Sequence, residues 1–246
     1  MNDDKRNIVL ITGAARRIGA AIARLFHREG YLVVLHYNRS VVEADKLSEE
    51  LNASQSESCL TVQADLNDQR GVEKITERVF SLKRLNVLVN NASSYYPTPL
   101  QQCNMKQWDD LINSNLKGPF FLSQKLAPLL TASQGAIVNI SDTDVRQTLS
   151  NYPIYSIAKA GNIAMTKSLA RELAPYVRVN SVAPGAILWP EQDCNAVDKE
   201  TILSQVPMGR LGSEVDIAKT TYFLAVHAAY MTGQTIAVDG GKSARI

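Results

Sequence analysis

The sequence predicts an α/β fold, a single doubly wound parallel sheet with helices on both faces. Three observations carry this. Short apolar runs alternate with longer segments of helical period along all 246 residues. Most of those runs are continuously apolar rather than alternating, as expected for strands covered on both faces. A glycine turn, from Gly13 to Gly19, joins the first run to the first helical segment.

The strand candidates are taken in order. They are "NIVLI" from Asn7, "LVVLH" from Leu32, "CLTVQ" from Cys59 and "VLVN" from Val87. "AIVNI" from Ala136, "VRVNSV" from Val177 and "TIAVD" from Thr235 complete the set. Between the first two, Ile18, Ala21, Ile22, Leu25 and Phe26 repeat at helical spacing, and Gly30 is a stop signal. Repeated β-α alternation implies parallel strands with helices on both faces. One domain over 1–246 is expected, with its site at the carboxyl ends of the strands. The segment near 185–200 breaks the pattern. Its weak periodicity and proline read as a substrate loop, or as a solvated crossover. Trp189 in it either closes the pocket or anchors the loop.

Composition narrows the function. Hydrophobic residues make up 45% and charged residues 20%, and the net charge is +2. The scattered basic residues argue against nucleic acid as a partner. No apolar run approaches the roughly 18 residues of a membrane span, and the N-terminus lacks a secretory signal pattern. Cys59, Cys103 and Cys194 are odd in number and far apart, which disfavours a disulfide framework or a metal site. A cytoplasmic protein is expected.

The nucleotide end is read from the strand ends. Gly13 permits a tight turn, Gly19 permits close packing, and backbone N–H groups through Ile18 suit a pyrophosphate. Arg17 stands within this turn and offers charge-assisted hydrogen bonds. After the second strand come His36, Tyr37, Asn38, Arg39 and Ser40, with no acid before Glu43. An acid there would bind the 2′-hydroxyl of NAD; Arg39 and Ser40 suit the 2′-phosphate of NADPH instead. Ser40 also fits a helix cap, and His36 a structural role. Asp65, followed by Leu66, either meets the adenine amino group or caps a helix. Asn91, Ala92 and Ser93 supply small and amide groups where the cofactor ribose would approach.

Thr12-Gly13, Asn90-Asn91-Ala92, Asn115, Tyr155-x3-Lys159 and Pro184-Gly185 occur in this order. With them the chain resembles the short-chain dehydrogenase/reductases, and so a Rossmann-like fold, along essentially its whole length. The family turn is TGxxxGxG, and Arg17 replaces its middle glycine. "TGAARRIG", "HYNRS" and "NNASSYYPTPL", with an acid at the family's catalytic-serine position, look like the pteridine reductases. That resemblance implies NADPH, a pterin or folate substrate and a homotetramer. It places Arg17, Ser93 and Tyr95 against the pterin, Tyr95 either stacking on it or anchoring its loop. It also assigns Pro184 and Gly185 to the cofactor site. Arg245 either reaches a neighbouring site or belongs to a disordered end.

The chemistry centres on Tyr155 and Lys159, one helical turn apart on one face. A phenol with an ordinary pKa of about 10 is a poor proton shuttle near neutrality, and a nearby cation favours its phenolate. In the family the lysine also bonds the nicotinamide ribose, and Asn115 could hold a water linking it to solvent; a plain buried asparagine is the alternative. The family serine lies thirteen residues before the tyrosine, and counting back reaches Asp142. Ser141 misses by one, which at a strand end turns a side chain to the opposite face; Asp144 lies one step further into the loop. The expected activity is hydride transfer to a pterin C=N bond, with Asp142, Tyr155, Lys159 and Asn115 in the proton-delivery site. The alternative is an NADPH-dependent carbonyl reductase or alcohol dehydrogenase.

Overall fold

The structure, a computed structural model, describes residues 6–143, 149–188 and 196–244. Asp144, Trp189, Cys194 and Arg245 lie outside the described residues, as does the middle of the expected substrate loop.

Seven parallel strands form one sheet in the order β3-β2-β1-β4-β5-β6-β7. They are β1 Ile8–Ile11, β2 Leu32–Tyr37, β3 Cys59–Gln63, β4 Val87–Asn90, β5 Ala136–Ile140, β6 Arg178–Pro184 and β7 Thr235–Val238. All seven apolar runs are therefore strands. The order reverses at β1, where β1 pairs with both β2 and β4. That crevice is the topological switch point at which such sheets bind ligands.

The helices are α1 Arg17–Arg28, α2 Val41–Ser54, α3 Gln69–Phe80, α4 Met105–Ile112, α5 Gly118–Ala132, α6 Pro153–Glu172, α7 Ala196–Ser204 and α8 Glu214–Tyr222. One core layer packs α1 and α8 on the sheet through Ile22, Phe26, Val33, Leu35, Ile217 and Ala218. The other packs α3, α5 and α6 through Ile75, Val79, Leu122, Leu126, Met165 and Leu169. Burying each such side chain contributes about 1.5–3 kcal/mol. The two layers thus clamp both faces of the sheet, and a site is left to the strand ends. None of the described helices is long and apolar enough to cross a membrane.

Local signals set the boundaries. Gly30 takes φ +83°, and its N–H bonds the carbonyl of His27, closing α1. Pro153 opens α6 at a position where no N–H is needed. Just before it, Asn151 takes φ +66°, and its carbonyl accepts the N–H of Thr98. Between α4 and α5 lies a π-helical turn, Asn113–Lys117, with Asn115 at its centre. Such turns recur at functional sites.

Candidate active site

A cleft of about 940 Å3 opens over the carboxyl ends of β1 to β4. Its lining includes Gly13, Arg17, Ile18, the run His36 to Ser40, Asp65, Leu66, Asn91, Ala92, Ser93 and Tyr95.

The glycine turn is held from three sides. Gly13 takes φ +61°, and a Cβ there would stand 2.8 Å from Cα of Ala92. A Cβ on Gly19 would meet the Gly13 carbonyl at 2.2 Å. Both positions exclude a side chain. The Asn91 carboxamide donates to the carbonyls of Thr12 and Gly13, each at 2.9 Å, so Asn91 braces the turn. His36 supplies the third support. Its Nδ1 accepts the Gly13 N–H at 3.2 Å, which leaves Nε2–H to donate to the Ala64 carbonyl at 3.1 Å. Burial pushes this imidazole down to about 4. His36 therefore has the structural role: it is neutral, buried and fully bonded beneath the turn.

Arg17 holds φ +51°, left-handed backbone that disfavours a side chain. The position keeps a glycine's conformation while projecting a guanidinium. Arg16, Arg17, Arg39 and Lys106 all line the cleft, giving it a cationic rim. Ser40 occupies the cap position of α2 yet makes no side-chain cap bond. The Ser40 side chain thus does not cap α2, and Ser40 lines the cleft beside Arg39. For the next helix, Asp68 is the cap and accepts the Arg70 N–H. Asp65 instead accepts the N–H of Asn67 at 2.9 Å, at the rim. Tyr37 is buried beneath this end of the cleft. Gly185 lies across the sheet, where a Cβ would fall 2.4 Å from Cβ of Asp239, and its N–H bonds the Val238 carbonyl. Neither Pro184 nor Gly185 lines the cleft.

The candidate proton-delivery groups meet at the end of β5. Tyr155 Oη donates to Asp142 Oδ2 at 2.7 Å. Ser141 points the other way: its Oγ donates to the Val182 carbonyl and accepts from Ser181. Strand alternation thus separates the two candidates as the spacing requires. Lys159 is 3% exposed and donates to the Ile140 carbonyl at 2.9 Å. Its Nζ lies 5.7 Å from the Tyr155 ring centroid. Burial pushes the Lys159 ammonium down to about 8, against the opposing pull of Asp142. The lysine is thus a cation whose charge is marginal just above neutrality.

Asn115 is 1% exposed, and its side chain is fully engaged. Its Nδ2 donates to the carbonyls of Ser94 and Leu111, each at 3.0 Å. Its Oδ1 accepts the Ser93 hydroxyl at 2.6 Å. The Ser93 proton is thereby spent on Asn115, leaving oxygen lone pairs toward the cleft. Tyr95 stacks on Tyr152 at 4.7 Å and 10°, and meets the Tyr155 ring edge-on at 4.9 Å. Sequence reasoning missed Tyr152, because nothing along the chain marks it as the partner of Tyr95. Among the described residues no cluster of acids, histidines and cysteines could hold a metal ion.

Fold, switch-point cleft and Tyr155–Lys159 pair together define a nicotinamide-dependent reductase. The family model described as enoyl-(acyl carrier protein) reductase matches residues 13–243. The chain belongs to the short-chain dehydrogenase/reductase family. It is 41% identical over 237 residues to the 3-oxoacyl-(acyl-carrier-protein) reductase FabG of Staphylococcus aureus, covering 94% of this chain and 96% of that protein. The 3-oxoacyl-(acyl-carrier-protein) reductase of Synechocystis is 37% identical over 240 residues, 95% of this chain and 96% of that protein. Pteridine reductase 1 of Leishmania tarentolae is 36% identical over 278 aligned positions, 96% of each chain. The chain is accordingly an NAD(P)-dependent reductase, with resemblance to both kinds of relative.

Proposed function

We propose that this chain reduces the C=N bond of a pterin or dihydropterin, and of dihydrofolate, using NADPH. One observation carries the reading: the acid at the family's serine position is bonded directly to the Tyr155 hydroxyl, at 2.7 Å. A serine there offers a hydroxyl to a carbonyl oxygen. A carboxyl suits a ring nitrogen that needs a proton. The cleft's residues fit the cofactor. Arg39 and the Ser40 hydroxyl would hold its 2′-phosphate, and Arg17, Ile18 and the Gly13 turn its pyrophosphate. Asp65 and Leu66 would hold the adenine, and Asn91, Ala92, Ser93 and Lys159 the nicotinamide riboside. Bound NADPH supplies the hydride.

The chain's own residues supply the rest. Tyr155 holds the transferable proton near the end of β5. Lys159, charged at neutral pH, favours the phenolate that remains when that proton leaves. Asp142 orients the phenol and assists proton delivery to the ring nitrogen. Arg17, Ser93 and Tyr95 hold the flat ring, with Tyr152 backing Tyr95. A homotetramer is the proposed assembly, and the cytoplasm the proposed compartment.

A second reading, an NADPH-dependent carbonyl reductase, is favoured by the relatives. The 3-oxoacyl reductase of Staphylococcus aureus is 41% identical, against 36% for the pteridine reductase. The pterin reading rests on the site and on the likeness to pteridine reductase 1. Steady-state NADPH oxidation with dihydrobiopterin, dihydrofolate and a 3-oxoacyl thioester separates the two. Efficient thioester reduction with neither pterin nor folate turned over overturns the first reading. In the Asp142→Ser variant, improved or unchanged ketone activity supports the second.

A further inference from the structure

Two loops at the mouth of the cleft meet on one carboxyl group. Asp110, on α4, lines the cleft together with Asn67 and Tyr96. Its Oδ1 accepts from Asn67 Nδ2 at 2.8 Å, and its Oδ2 accepts the Tyr96 hydroxyl at 2.9 Å. Asn67 lies 43 residues before Asp110 and Tyr96 lies 14 before it, so the two donors come from separate loops.

Each donor stands beside residues that face a ligand in the proposed function. Asn67 follows Asp65 and Leu66, and its N–H bonds Asp65 Oδ1 at 2.9 Å. Tyr96 follows Tyr95, whose ring is 56% exposed and meets the rings of Tyr152 and Tyr155. The loop is anchored on either side of this pair. Asn115 holds Ser93 and Ser94, and the Asn151 carbonyl accepts the Thr98 N–H at 2.7 Å. The Tyr96 hydroxyl adds an anchor between them, next to Tyr95. Burial first, and then the bond to Asp110, push the Tyr96 phenol up to about 12, so it stays a donor at neutral pH. The Asn67 carboxamide donates at any pH, and a carboxyl has an oxygen for each partner. Hydrogen bonds to a carboxylate are about twice as strong as those between neutral groups.

We infer that Asp110 is a positioning residue: its carboxyl ties the loop carrying Tyr95 to the loop carrying Asp65 and Leu66, so that each loop holds the other in place. The aromatic ring for the substrate and the residues for the adenine are thereby set in one frame before either ligand arrives. Preorganisation of this kind lowers the ordering cost of binding. The consequence for KM rests on the proposed roles of Tyr95, Asp65 and Leu66; the tie between the loops does not.

Amide hydrogen exchange of the full chain without ligand tests the tie, using variants that each remove one bond and are scored at the opposite loop. Asn67→Ala should speed exchange within residues 94–98 about threefold or more, and Tyr96→Phe should do the same within 65–68, as expected for groups sharing one hydrogen-bond network. Asp110→Ala should speed both. In Asn67→Ala and Tyr96→Phe, KM for NADPH and for substrate should rise together several-fold with kcat unchanged. A bond of merely local importance loosens only its own loop. Exchange unchanged at the opposite loop in either single variant overturns the inference, and these two variants serve should Asp110→Ala fail to fold. If neither pterin nor thioester is turned over while exchange moves as stated, the proposed function fails and the inference about Asp110 stands.

Discussion

Acidification should unfasten the glycine turn through a single imidazole. His36 is neutral because its Nδ1 accepts from Gly13 and because it is 2% exposed. Its ordinary value of 6.5 falls to about 4 in the folded chain. Between these values the unfolded chain binds the proton and the folded chain does not. The contribution is therefore complete above about 6.5 and is lost as pH falls to about 4. At about 1.36 kcal/mol for each tenfold difference in proton affinity, the whole loss is about 3 kcal/mol. Urea unfolding at pH 7 and pH 4.5 is the assay, on wild type and on His36→Gln. The carboxyls of Glu50, Asp216 and Asp239 are also held below their ordinary range, Glu50 and Asp216 chiefly by hydrogen bonds to Arg24 and Ser213. They destabilise both proteins alike on acidification. Wild type should lose about 2–3 kcal/mol more than the variant over this interval. Equal losses in the two proteins would refute the role given to His36.

Other outcomes follow from the same geometry. Arg17→Gly relieves left-handed backbone and should raise stability by about 1 kcal/mol in denaturant melts, while raising KM for NADPH and substrate. Arg39→Ala should cut the preference for NADPH over NADH about tenfold or more, read from kcat/KM for each cofactor. Tyr155→Phe should lower kcat by about 10²–10⁴ and leave NADPH binding intact by fluorescence titration. Tyr152→Ala should raise substrate KM several-fold, since Tyr95 loses the ring it stacks on; an unchanged KM would make Tyr95 a loop anchor only.

The strands and their crossovers were legible because continuous apolar runs have one simple explanation, burial on both faces. The meeting of Asp142 with Tyr155 was legible from the thirteen-residue spacing that the family resemblance implies, with strand alternation turning Ser141 away. His36 and Asn91 show the limit. The sequence offers both for the cofactor end, but their places beneath the glycine turn are set by partners far away in the chain. Gly13 lies 23 residues from His36 and 78 from Asn91. No local pattern records such pairings. The π-helical turn at Asn113–Lys117 was also hidden, since its composition is that of an ordinary helix.

The central claim, that the Asp142–Tyr155 pair serves a C=N bond, is tested most directly by one competition. NADPH oxidation is followed with dihydrobiopterin and with a 3-oxoacyl thioester, for wild type and Asp142→Ser side by side. The account predicts that wild type prefers dihydrobiopterin by kcat/KM and that Asp142→Ser loses this activity about a hundredfold or more. A wild type that prefers the thioester, with Asp142→Ser equally active on it, would contradict it.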